Sequence, residues 1–424
     1  MIRVAPRLED AVLYYVANPV DFVRDVLRAE PDPWQAQALD HLAAGRNVAV
    51  RSGHGVGKTA VAAWAVIWRL MCFPMAVVPA TAPTQHQLYD VLWPEIARWI
   101  ERGRLHDVLR WTATRVGVAG YERTWFAVAR SSNRPERLAG FHAAHLLYVV
   151  DEASGLDAKT WEVIDGARTT AGAVVLAIGN PTQRSGGFYD AFHRHRRFWA
   201  TVHVNAETSP RVSKAWVQEM ADKWGRDSDV YRVRVRGEFP LGETDTFIPL
   251  DLVEGAVFRD VPAEGAVQIG VDVARYGDSE TAIVARWGGR VLWLEAHRKR
   301  SVPTVIGLVL AAARQARKIT GAARITVAVD DSGVGGGVTD GLRDEARAAR
   351  WLRVLPANFG GPGDGKHYAN AAALMWGTIR ELLAAGEISI PSDDDLIGQL
   401  TTRRYRINAR GDRKSTRLNS SHLG

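Results

Sequence analysis

Hydrophobic residues between Gly45 and Asn180 gather in short β-branched runs at 48–50, 76–78, 146–150 and 174–178, with helix-length stretches between them. Each run is apolar throughout instead of alternating, the mark of parallel strands covered by helices on both faces. Strand-helix-strand order with right-handed crossovers then predicts an α/β three-layer domain. Beyond Phe239 the pattern breaks: Pro240, Gly242, Pro249 and Pro262 punctuate a stretch with one apolar cluster, which reads as a connection. Further runs follow at 267–273, 281–286 and 291–295, close enough for an antiparallel meander, then a helix over 302–318 and a strand over 325–330 that ends in acid. From Gly411 the chain is polar and Ser-rich with no apolar period, so 411–424 is expected to be a non-native or disordered tail.

The chain's 424 residues exceed the roughly 250–300 at which one core stops growing, so two domains are expected, 1–240 and 263–410, joined by 241–262. Three strands, a helix and a strand ending in acid is an RNase H-like order for the second of them. A hydrophobic fraction of 46% with 24% charged residues excludes a largely disordered or fibrous chain. The formal net charge of +7 is a mild bias toward polyanions and fits a nucleic-acid partner without establishing one. The single Cys72 excludes an intramolecular disulfide and a Cys-cluster zinc site, so cytosol is the simpler reading. Charges interrupt the first thirty residues, which lack a secretory core, and Arg69 and Pro74 break the longest apolar stretch, so no membrane span is expected.

Val48, Ala49 and Val50 lead into Arg51-Ser52-Gly53-His54-Gly55-Val56-Gly57-Lys58-Thr59, and 60–70 continues in good helix formers. Strand, glycine loop and helix are the context of a phosphate-binding P-loop. Gly53, Gly55 and Gly57 let backbone N–H groups turn toward phosphate oxygens, Lys58 reaches the β and γ phosphates, and the Thr59 hydroxyl ligates Mg²⁺. Ser52 replaces the usual first glycine, which a tight turn accommodates if its φ stays negative. ATP or GTP binding follows, against the competing reading of a Gly-rich turn with an incidental Lys-Thr.

The run 146–150 ends in Asp151 and Glu152. Asp151 at the strand end would hold the Mg²⁺ water shell, and Glu152 would orient and polarise the attacking water. More than ninety residues separate Lys58 from Asp151, room for an extra strand, as in translocases and helicases rather than small kinases. Asn180 reads either as a γ-phosphate sensor or as part of an Asn-Pro turn. Trp34 and Gln35 read either as a stacking Trp with an adenine-reading Gln or as a helix-start pair without a ligand.

In the second half, Asp272 falls inside the first strand of the meander, where burying an unpaired carboxylate is costly and metal binding would offset the cost. Asp330 ends the fourth strand, which in an RNase H-like sheet lies beside the first. The two would converge on a pair of Mg²⁺ or Mn²⁺ ions about 4 Å apart that activates a water and stabilises the leaving 3′ oxygen. Asp331 is the alternative to Asp330, and Asp278 reads as a turn former. The glycine run 333–337 superficially suggests a dinucleotide fingerprint, yet equally lets a DNA backbone approach closely.

Taken together, Trp34-Gln35, Arg51 inside the loop, Thr81-Ala82-Pro83-Thr84, Leu138-Ala139-Gly140-Phe141-His142, Val150-Asp151-Glu152-Ala153-Ser154-Gly155 and Gly179-Asn180-Pro181 resemble the terminase large subunit of tailed bacteriophages, over about residues 34–400. The resemblance implies a P-loop NTPase domain that uses ATP to drive double-stranded DNA into a procapsid, followed by an RNase H-like nuclease domain that cuts concatemeric DNA with two metal ions. It implies a portal protein and a terminase small subunit as partners, a homo-oligomeric ring when docked and a monomer in solution, and the cytoplasm of an infected bacterial host. It also implies that Arg51 acts as a charge-stabilising finger, in cis or toward a neighbour. The family's third metal carboxylate, carried by a Ser-Pro-Asp-x-x-Asp-Ala segment, has no counterpart here, and Asp393, Asp394 and Asp395 read as a helix cap. The chain is therefore expected to stop short of its last catalytic acid and to cut poorly. Two other readings share the same residues: a P-loop DNA helicase or remodelling ATPase without nuclease activity, and a capsid or portal adaptor with degenerate sites. The basic stretches 193–197 and 231–236 read as solvated faces ahead of phosphate contacts.

Overall fold

Eight strands of the first half form one sheet: β1 (Asn47–Ser52), β2 (Val77–Thr81), β3 (Leu109–Trp111), β4 (Arg115–Val118), β5 (Phe126–Ala129), β6 (Leu147–Val150), β7 (Val174–Gly179) and β8 (Trp199–Val204). Their order is β3-β4-β5-β2-β6-β7-β1-β8, parallel from β5 to β8 and antiparallel at the β3-β4 edge. Strands β2, β6 and β7 are buried along their whole length, which is why their sequences are continuously apolar. The helix Lys58–Cys72 is buried almost all round, with Trp64 edge-on to Trp99 at 5.2 Å between centroids. Edge strand β8 and the short β3, β4 and β5 were not foreseen, since they lack a long apolar run. This computed structural model describes the chain apart from residues 1–7, 133–134, 168–170, 242–245, 275–279, 332–334, 365–367, 369, 408–412 and 417–424. It divides into two compact units, Met1–Leu241 and Gly242–Gly424.

Strand β7 lies between β1 and β6. The glycine loop after β1 and the two acids after β6 therefore face each other across the end of β7, at the carboxyl ends of parallel strands, where α/β sheets bind ligands. A single π-helical turn, Arg232–Arg236, packs behind the glycine loop. His54 N–H donates to Arg234 O at 2.7 Å, and Ala206 N–H to Val235 O at 2.8 Å. Two glycines make this approach feasible: a Cβ on Gly53 would lie 2.4 Å from Val235 O, and one on Gly237, whose φ is +64°, would lie 2.6 Å from the Ser52 carbonyl carbon.

The second unit is built on β9 (Val267–Asp272), β10 (Glu280–Trp287), β11 (Arg290–Arg298), β12 (Ile325–Asp330) and β13 (Leu352–Ala357), ordered β11-β10-β9-β12-β13. The first three run antiparallel, and β9, β12 and β13 run parallel, giving the RNase H-like topology. Ile269, Val271, Val327 and Val329 join one buried cluster with Val305 and Val309 of the helix Val302–Thr320 and Val338 and Leu342 of the helix Gly335–Ala348. The stretch 241–262 is not simply a connection, because it holds the helix Leu250–Val257 with Leu250, Val253 and Ala256 buried. Pro249 is that helix's N-cap, so a proline taken as a loop signal marks a helix start instead. In the tail, β14 (Arg404–Ile407) pairs antiparallel with β15 (Arg413–Thr416), because a backbone ladder needs no apolar period; the rest of 411–424 is outside the described residues except within β15. No described helix is long and apolar enough to cross a membrane.

Gly53→Ala should destabilise the first unit by about 1–3 kcal/mol, as overpacking against a backbone carbonyl does. Gly166→Ala, on a helix with open space around it, should be neutral or stabilising by up to about 1 kcal/mol. Urea unfolding of the two variants checks the contrast, and equal effects would refute the close packing behind the loop.

Candidate functional site

Ser52, at the end of β1, keeps a negative φ and donates its hydroxyl to Gly53 O at 2.9 Å, so it fits where a first glycine is usual. Gly55 and Gly57 have φ of +72° and +92°, left-handed values that glycine adopts without steric cost. The turn starts the helix Lys58–Cys72 at the mouth of a cleft of about 740 Å³, whose walls include Gly55, Gly57, Lys58, Thr59, Glu152 and Asn180. First-turn N–H groups have no partner inside a helix, and together with the helix dipole they favour an anion there.

Lys58 Nζ lies 2.8 Å from Asn180 Oδ1, 3.3 Å from Gly53 O and 4.0 Å from Glu152 Oε1. Asn180 is fixed in turn: its Nδ2 donates to Ser52 O at 2.6 Å, and its backbone N–H to Glu152 Oε2 at 3.4 Å. Glu152 itself is left-handed with φ +46°, which costs a non-glycine residue about 1–3 kcal/mol and commonly marks a working site. Gly179 permits that geometry, because a Cβ there would meet Ala153 N at 2.9 Å. Ser154 Oγ accepts from the N–H groups of Thr182 and Gln183, fastening the loops after β6 and β7 together.

Asp151 is 3% exposed, and its Oδ1 accepts from Glu152 N–H at 3.0 Å. Burial first, then the like charge of Glu152, push its carboxyl up to about 7, against the pull of Lys58 and that N–H. Such an acid is held ready for a cation. His54 is driven well below its usual range by burial and by Arg234 and Lys58, so it is neutral and adds no charge to the loop.

The fold thus sets Gly55, Gly57, Lys58, Thr59, Glu152 and Asn180 in the wall of one cleft, with Gly53 joined to them through its carbonyl on Lys58 Nζ and buried Asp151 through its bond from Glu152 N–H. It leaves out two candidates. Gln35 is fully buried and does not line the cleft; its Oε1 accepts from Asp32 N–H and its Nε2 donates to Gly57 O, so both ends of the amide are committed within the protein. Trp34 beside it packs against the core with its indole nitrogen buried, an arrangement that suits the helix-start pair of the two readings. Arg51 does not line the cleft either. Its guanidinium sits 5.5 Å from the ring centroids of both Phe192 and Phe239, because it extends from β1 into an aromatic cluster on one side of the sheet. The stretch 231–236 is no open phosphate-binding face: Arg232 pairs with Glu238 at 2.9 Å, Arg236 approaches Glu207 at 3.8 Å and Arg234 is buried. Arg211, which does line the cleft, escaped sequence reasoning because it belongs to no motif.

In the second unit, Val271 pairs with Val329, so the next step along both parallel strands sets Asp272 beside Asp330 on the face opposite those valines. Asp331 is one residue further, with its N–H donating to Ala357 O and its Oδ1 buried without a partner. Asp272 is exposed, so the desolvation cost inferred from its apolar strand does not arise; it stands at the strand end, where solvent reaches it. Two carboxylates suit a hard cation such as Mg²⁺ or Mn²⁺, and no group of three or more potential ligands gathers among the described residues. Asp278 and residues 332–334 are outside the described residues, and Gly335 opens the helix Gly335–Ala348. Asp393 caps the helix Asp394–Thr402 by accepting from Leu396 N–H at 2.8 Å, as read from the sequence.

Over 274 residues the chain is 32% identical to a probable terminase large subunit of Enterobacteria phage P7. The chain is therefore homologous to a phage terminase large subunit. The match takes in 60% of this chain and 55% of that protein, so the chain spans about half the length of the curated relative it matches. Among solved structures it is similar to the HK97 bacteriophage large terminase, with 14% identity, 94% of this chain and 95% of that chain covered and a TM-score of 0.43. It is similar also to the large terminase ATPase domain of Thermus phage P74-26, with 19% identity, 52% and 98% coverage and a TM-score of 0.42. Likenesses at these scores carry no weight beside the strand orders above. No family model matches the chain.

Because Asp151 binds its proton more tightly when folded than its ordinary 3.8, the folded state loses stability as pH rises from about 4 to about 7 and stays penalised above that. Asp151→Asn, without nucleotide or metal at pH 8, should therefore unfold at a higher temperature than the parent, by at most about 4 kcal/mol in stability. At pH 4 the difference should shrink toward zero. An advantage over the parent no larger at pH 8 than at pH 4 would contradict the buried carboxylate.

Proposed function

We propose that this chain is a DNA-packaging motor subunit: ATP hydrolysed in the first unit moves double-stranded DNA into a procapsid, and the second unit cuts concatemeric DNA. The observation that carries the reading is the meeting of Lys58, Asn180 and Glu152 across the end of β7, with Asp151 buried beneath them. An extra strand between the loop strand and the acid strand is the layout of NTPases that couple hydrolysis to movement along a polymer. The phosphates would rest on the N–H groups of the loop and the first helical turn, with Lys58 on the β and γ oxygens. Mg²⁺, held through Thr59 and the water shell of Asp151, would neutralise charge on the phosphates. Glu152 would orient the attacking water and accept its proton. Asn180, bonded to Lys58 on one side and Ser52 on the other, would sense loss of the terminal phosphate. In the second unit Asp272 and Asp330 would hold Mg²⁺ or Mn²⁺ for nuclease action. The reading brings with it a portal protein, a terminase small subunit, a ring of copies at the portal and the cytoplasm of an infected bacterium.

DNA-stimulated ATP hydrolysis tests the motor. Glu152→Gln should bind ATP with unchanged affinity and hydrolyse it at least about 100-fold more slowly, the usual scale for a general base. A wild-type rate in that variant would remove Glu152 from the chemistry. Asp272→Ala should keep the ATPase and lose Mn²⁺-dependent cutting of plasmid DNA. If every DNA activity survives in Asp272→Ala, the chain is an ATPase of the helicase or remodelling kind.

A further inference from the structure

Arg211 lies in the loop between β8 and the helix Lys214–Trp224, outside every motif, yet its side chain forms part of the cleft wall. Its Nε donates to Asp32 Oδ2 at 2.6 Å and its Nη2 to Glu30 O at 3.3 Å. Its Cδ and Nε come within 3.5 and 3.7 Å of where a Cβ on Gly57 would stand, and Val212 approaches Gly55 in the same way at 3.4 Å. This loop therefore lies against the glycines of the phosphate loop. The anchor is firm, because Asp32 is the N-cap of the helix Pro33–Ala43 and shares a capping box with Gln35, whose amide donates to Gly57 O.

The cleft wall is chemically mixed. Lys58, Glu152 and Asn180 meet at the end of β7 and suit a terminal phosphate, whereas Arg211 lines the cleft from its anchor on Asp32 and Glu30, beside the start of the helix Pro33–Ala43. A guanidinium has five donors and a flat π face; two of its N–H groups hold Arg211 to its anchor, and 42% of the side chain stays open to solvent. We infer that Arg211 is a nucleotide-binding residue, holding the base-and-sugar end of the bound nucleotide with its guanidinium plane against the base. This rests on the nucleotide reading of the cleft and extends it to the position that Trp34 and Gln35 do not fill.

Titration calorimetry on the full chain, with ADP and separately with inorganic tripolyphosphate, tests it. Arg211→Ala should weaken ADP roughly tenfold, the scale of one lost stacking contact, and leave tripolyphosphate unchanged. Arg211→Lys, which can keep the Asp32 pair but lacks the flat face, should weaken ADP to a similar extent, and both variants should unfold at the parent's temperature. Lys58→Ala should weaken both ligands. The proposal is overturned if Arg211→Ala binds ADP as the parent does, if tripolyphosphate weakens in step with ADP, or if Arg211→Lys fully restores ADP binding. A parent chain that binds tripolyphosphate but not ADP overturns it as well and leaves a bare phosphate site, and one that binds neither overturns the nucleotide reading itself.

Discussion

One ammonium group organises the first unit. Lys58 opens a helix, so its positive charge sits at the positive end of that helix's dipole, and its side chain is only 10% exposed. Its neighbours are two neutral oxygens, on Gly53 and Asn180, and a carboxylate at 4.0 Å. A half-satisfied cation at a helix N-terminus favours an incoming anion, and a triphosphate supplies the charge the site lacks. Asp151 is the converse: a buried carboxyl held near 7 by desolvation and by Glu152, which a cation would ionise fully. The site thus sets opposite charge deficits close together, an arrangement that needs little reorganisation to hold a nucleotide and a metal ion.

That arrangement depends on backbone held where it would not otherwise stay. Glu152 occupies the left-handed region, and the loops after β6 and β7 hold it there through Ser154 and the absent side chain of Gly179. Behind the glycine loop, Gly53 and Gly237 let the turn Arg232–Arg236 press against it, and Arg51 wedges between Phe192 and Phe239 nearby. Residues 232–237 therefore lie directly against the glycine loop, just ahead of the end of the first unit at Leu241. The contact is backbone to backbone, His54 to Arg234 and Gly53 to Val235.

The second unit follows a different logic. Its two acids stand at the ends of neighbouring parallel strands, Asp272 exposed and Asp330 half-buried, so a carboxylate there carries little of the burial cost that Asp151 does. Sheet order alone brings Asp272 to Asp330, since the antiparallel meander returns no strand between β9 and β12.

The sequence by itself determined the residues with no substitute: the glycines and Lys58 of the loop, the acid pair closing β6, the α/β pattern of the first half, and the meander, helix and strand of the second. These rest on local rules, apolar period and glycine placement, which neighbouring residues specify without reference to the rest of the chain. Only the tertiary structure decided which side chains reach the cleft. Arg51 and Gln35 lie beside the right residues in sequence, but strand direction sends one into an aromatic cluster and a capping box claims the other. Arg211 arrives from more than 150 residues beyond Gly57 because β8 pairs with β1 and carries the following loop over the phosphate cradle. Such a contact is set by long-range strand pairing, and no window of sequence around either residue contains it.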